Sequence, residues 1–148
     1  MPIYQQSDAL SNAQKNAIKD SYKKLLKRFG GEYPRNTFNI LLKEIDTISH
    51  YDDINVVELS IYLEAVTKYL NLEVNRRFFQ SGERKLLAAL RYFSEAQDVI
   101  PDWEIGGFID DIYCLNIALK DQTKTNLNKI EVSAAAIKKS KGFIRGPE

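Results

Sequence analysis

Apolar residues along this chain recur at intervals of three and four, the period of helices that bury one face, and the stripes are separated by short polar or glycine-containing breaks. Over 11–29 the stripe comprises Leu10, Ala13, Ala17, Ile18, Tyr22, Leu25, Leu26 and Phe29. Ser11 followed three residues later by Gln14 is a capping-box signature, and Gly30-Gly31 ends the pattern. Pro34 suits the first turn of a second helix, where no backbone donor is needed, and Phe38, Leu41, Leu42, Ile45 and Ile48 line that helix as far as His50. The third stretch opens with INVV, which its β-branched residues would allow as a strand. Leu59, Tyr62, Leu63, Val66, Tyr69 and Leu70 then hold helical spacing, so the pattern predicts a helix over 55–72, capped by Asn55 with Glu58 and buried on several faces.

A fourth stripe, Leu86, Leu87, Leu90 and Phe93, follows Ser81 as its expected cap and ends near Gln97. Pro101 pushes the residue before it out of the helical region, and Gly106-Gly107 gives the backbone freedom to reverse. Phe108, Ile112, Leu115 and Leu119 begin a fifth stripe, so the economical solution is an antiparallel helical hairpin around an acidic Pro/Gly turn at 97–108. After DQTKTNLN, a last helix over 125–140 carries Leu127, Ile130, Ala134 and Ile137, with Ala135 and Ala136 allowing close approach to this chain's core or to a partner. The tail at 142–148 is expected to fray. The expected architecture is all-α: a compact bundle of about five to six helices forming one domain over 1–148.

Composition narrows the function classes. A chain of 148 residues buries a core without disulfides or a structural metal, and its formal net charge of +1 provides no global field toward nucleic acid or an anionic membrane. The single cysteine, Cys114, excludes an intramolecular disulfide and a cysteine-built zinc site. MPIYQQSDALSNAQ lacks the charged-then-apolar order of a secretory leader, and no run approaches the roughly 20 apolar residues of a membrane span, so a soluble cytoplasmic protein is expected. Lys15, Lys19, Lys23 and Lys27 repeat every four residues opposite the first apolar stripe. They are a solvated face or a surface for an acidic partner; nucleic acid is the less favoured occupant. Arg76, Arg77, Phe78 and Phe79 read as a connector that buries its aromatics rather than as a stacking platform. His50, the only histidine, has no serine or cysteine motif beside it and reads as a helix-end or surface residue.

Ala89 to Phe93, then Asp98-Val99-Ile100-Pro101-Asp102, then Gly107-Phe108-Ile109-Asp110-Asp111, resemble the core signature of the YkvA-like bacterial domain, a family of unknown function. The likeness covers residues 86–120, with Ala96 and Gln97 standing where the family has a proline and an apolar residue. It implies a helical hairpin with an acidic turn and carries no activity with it.

Asp98, Asp102, Asp110 and Asp111 are the candidate chemistry. If the turn folds back, they offer hard oxygen ligands for Mg²⁺, Ca²⁺ or Mn²⁺. The favoured reading is structural, because carboxylates in the first turn of a helix and beside a proline turn satisfy backbone N–H groups and complement the helix dipole. Trp103 is expected to pack across the hairpin, with a recognition role as the alternative. No catalytic residue or cofactor is expected, a divalent cation being the alternative. The resulting expectation is a non-enzymatic helical module of bacterial or phage origin that binds or regulates another protein. The competing expectation is a cation-dependent enzyme or cation-binding domain built on the four aspartates.

Overall fold

The computed structural model describes residues 10–28, 35–51, 54–72, 81–94 and 108–142. These form six helices: α1 Asn12–Arg28, α2 Arg35–Ile48, α3 Ile54–Leu72, α4 Ser81–Ser94, α5 Ile109–Lys120 and α6 Lys124–Ser140. There is no strand among the described residues. The connector Arg76 to Phe79, the turn carrying Asp98, Pro101, Asp102, Trp103 and Gly106-Gly107, and the tail beyond Gly142 lie outside them.

The capping box forms reciprocally at the start of α1. The Gln14 amide donates to Ser11 Oγ at 3.1 Å, and the Ser11 amide donates to Gln14 Oε1 at 2.8 Å. Leu10, Ile18, Tyr22 and Leu25 are buried below it, whereas Ala13 and Ala17, expected in the same stripe, face solvent. At about 100° per residue, both alanines lie roughly 100° or more around the helix from Ile18. Their helix propensity, rather than burial, accounts for their place. In α2 the expected Phe38, Leu41, Ile45 and Ile48 are buried, while Leu42 sits at the rim and is 38% exposed.

α3 is the centre of the bundle, packing against α2, α4 and α6. Leu59, Ile61, Tyr62, Leu63, Ala65, Val66 and Leu70 are all buried, so INVV is the first turn of a helix apolar on nearly every face. Because α3 starts at Ile54, Asn55 lies within its first turn rather than at the expected cap, and Glu58 is buried. The buried Thr67 hydroxyl is satisfied inside the helix by donating to the Leu63 carbonyl at 2.7 Å. Ser81, expected as a cap, is likewise the first residue of α4.

α4 and α5 pair antiparallel. At one end the Tyr92 hydroxyl meets Asp110; at the other the Gln122 amide nitrogen donates to the carbonyls of Gly82 (2.9 Å) and Ala118 (3.1 Å), and Lys85 pairs with Asp121 at 3.5 Å. Tyr51, just after α2, meets Phe108 edge to face with ring centroids 5.5 Å apart, tying the entry of α5 to the end of α2. α6 is capped by Thr123, whose side chain accepts from the Asn126 amide, and lies along α3 with Tyr62 donating to Glu131 Oε2 at 2.7 Å. Only Ala134 of its small-residue run enters the core; Ala135, Ala136 and Val132 face outward. The helix closes at Lys141, after which Gly142 takes φ +66°, a left-handed conformation open to glycine without a Cβ penalty.

Candidate functional site

Two groups of polar residues stand out, one buried and acidic, the other exposed and basic. The buried group lies where α1, α4 and α5 meet. Asp110 and Asp111 occupy the first turn of α5, as the sequence suggests, and both are buried. The helix opens on Phe108, which has no capping side chain, so the two carboxylates supply the negative charge favoured at that end. Asp110 is also bound across the hairpin, accepting a hydrogen bond from the Tyr92 hydroxyl at 2.9 Å. One helical turn further along, Cys114 is fully buried. Its thiol is held well above its ordinary pKa, first by burial and then by the charges of Asp111 and Asp110. Burial also raises the Tyr22 phenol, with Cys114 and Asp121 adding to the shift.

Chemically, this seam holds protons rather than releasing them. A thiol kept protonated is not a nucleophile at neutral pH, and Tyr22 remains neutral far beyond it. Among the described residues no group of three or more His, Cys, Asp and Glu side chains is placed to hold a metal. Asp98 and Asp102 lie outside the described residues, as does Trp103. His50 is exposed at the end of α2 beside Asp46, with 3.8 Å between Nε2 and Oδ1, and belongs to a different element from the seam.

The second group starts on α1. That helix carries six cations, Lys15, Lys19, Lys23, Lys24, Lys27 and Arg28, against Asp20 as its single acid. Each step of four residues rotates the lysine row by about 40°, so Lys15 lies half-buried at the core boundary and Lys19, Lys23 and Lys27 are exposed. None of these four lysines has an ion pair among the described residues. Lys27 and Lys23 face the beginning of α4, where they share a groove with Leu26, Ser81, Arg84 and Lys85. On the other side of the α4 N-terminus, a second cleft of about 310 Å³ lies between Tyr69, Glu83, Lys85, Asp121, Gln122 and Asn126. Arg84 and Lys85 escape a search for chemical motifs because nothing in the linear sequence places them beside Lys23 and Lys27. Their one local signal is a cation, Arg84, closing the first turn of α4 with Lys85 directly after it, near the end that disfavours positive charge.

No helix among the described residues is long and apolar enough to cross a membrane. No family model, curated protein or solved structure matches the chain.

Proposed function

We propose that this chain is a non-enzymatic helical module that binds another protein, in a regulatory role, through the lysine face of α1. The observation that carries this reading is the division of labour on α1. Leu10, Ile18, Tyr22 and Leu25 face the core, which leaves Lys19, Lys23 and Lys27 exposed and Lys15 half-buried at the edge of the row, all four without an ion pair among the described residues. A chain with near-zero net charge that concentrates six cations on one helix has a local field suited to an acidic partner surface. The buried Cys114, whose thiol burial holds in its protonated form, supports a binding role over a catalytic one. The resemblance of residues 86–120 to the YkvA-like domain is the ground for proposing a bacterial or phage origin.

The test is affinity capture from the native host with the wild-type chain and with a triple variant, Lys19→Glu, Lys23→Glu and Lys27→Glu. The wild type should retain an acidic protein at about 50 mM salt and release it at several hundred millimolar, because exposed charges are screened within a few ångströms there. The triple variant, shown by circular dichroism to keep its helices, should retain none of it. Equal capture by both chains would sink the proposal.

A further inference from the structure

We infer that the groove between α1 and the start of α4 is a binding site for the phosphoryl groups of a small, multiply charged anion such as a polyphosphate chain. The groove is open to solvent, has a volume of about 370 Å³, and is lined by Lys23, Leu26, Lys27, Ser81, Arg84 and Lys85. Four of these six residues are cations and none is acidic. The periodicity of α1 explains Lys23 and Lys27, but not why residues 84 and 85, far off in sequence, bring two more positive charges to the same concavity. Lys85 is partly neutralised by Asp121 at 3.5 Å. Lys23, Lys27 and Arg84 have no ion pair among the described residues, although the chain contains 20 acidic residues.

The arrangement is costly without an anion. Like charges gathered on a concave surface repel, and Arg84, at the end of the first turn of α4, also opposes the positive end of its dipole. A bound phosphoryl group reverses each of these terms. Arg84 lies with Nη2 3.5 Å from the Leu26 carbonyl oxygen, the outer limit of a hydrogen bond, which sets the guanidinium at the groove with its other N–H groups available. Leu26 and the lysine stems provide an apolar floor, while the Ser81 hydroxyl adds a further donor. The excess of positive charge suits a di- or trianion better than a monoanion.

The groove shares Lys23 and Lys27 with the partner surface on α1 but needs no protein partner, so it is tested on the isolated chain, where the outcome does not depend on partner capture. Inorganic pyrophosphate is titrated calorimetrically at low salt into the wild type and into Lys27→Gln, Arg84→Gln and Lys19→Gln, each checked for unchanged helicity. The expected result is saturable one-to-one binding, weaker for inorganic phosphate. It should fall roughly 10-fold or more in Lys27→Gln and Arg84→Gln, the scale of one charge-assisted hydrogen bond, and change less than about twofold in Lys19→Gln, which lies outside the groove. Absence of pyrophosphate binding, or equal losses in all three variants, would overturn the assignment. So would a single-stranded oligonucleotide that binds more tightly than pyrophosphate and depends equally on Lys19, since that would mark a phosphodiester track along α1.

Discussion

The Tyr92 hydroxyl donates to a carboxylate with no solvent exposure, so water cannot replace the bond once it is lost. Tyr92→Phe removes the donor with little change in volume and should lower unfolding stability by about 1.5–3 kcal/mol, the range for a hydrogen bond to a charged group. Urea denaturation measures this directly; a loss below about 0.5 kcal/mol would show that the bond contributes little to the fold. Cys114, one turn away, gives the seam a pH signature. Its folded pKa is raised, chiefly by burial, so the native thiol keeps its proton where the unfolded thiol, near its ordinary value of about 8.5, gives it up. The corresponding stability is complete below about pH 8 and declines as pH rises, by at most about 1.4 kcal/mol per pH unit. Urea midpoints between pH 7.5 and 9.5 should therefore fall in the wild type and fall less steeply in Cys114→Ala, whatever that variant's baseline. Parallel slopes would contradict this account of the thiol.

Hairpin geometry belongs to the next scale, because α4 and α5 are fastened at both ends by side chains whose partners are far away in sequence. Gln122 bridges the Gly82 and Ala118 carbonyls, holding the end of α5 against the start of α4. Gln122→Ala should cost about 1–2 kcal/mol and speed amide hydrogen exchange in the first turns of α4 more than in α3; uniform exchange across both helices would argue against a local clamp. Gln122 also shows what sequence reasoning could and could not supply. Helix positions were legible because periodicity and punctuation agree, as at Ser11 and Gln14, where both hydrogen bonds of the box form. Caps at Asn55 and Ser81 were misplaced because a polar residue near a helix start fits the first turn as well as the position before it. The antiparallel hairpin was legible from Pro101 and the glycines, but its fasteners, Tyr92 with Asp110 and Gln122 with Gly82, depend on rotation about each helix axis. Arg84 and Lys85 were invisible as site residues for the same reason: their significance comes from facing Lys23 and Lys27.

Across the whole molecule the balance of 21 basic and 20 acidic residues conceals a segregation of charge. Acidic side chains are drawn inward at Glu58, Glu83, Asp110 and Asp111, while α1 carries its lysines outward in a row spaced by four. In an isolated helix each Lys-to-Lys step of that spacing costs a few tenths of a kcal/mol, and an oppositely charged pair in the same place recovers a similar amount. If stability alone governed the face, alternating charge would serve it better. Lys23→Glu converts two such repulsions, with Lys19 and with Lys27, into attractions, while the attraction to Asp20 three residues earlier becomes a repulsion. The net of one pair reversal should raise unfolding stability by about 0.3–0.8 kcal/mol at low ionic strength, with the gain shrinking as salt is added. A gain in stability accompanied by loss of pyrophosphate or partner binding would identify the lysine row as a surface maintained for recognition at the expense of the fold. A loss of stability in Lys23→Glu would instead mean that the row stabilises the bundle, and the electrostatic case for a binding face on α1 would fall with it.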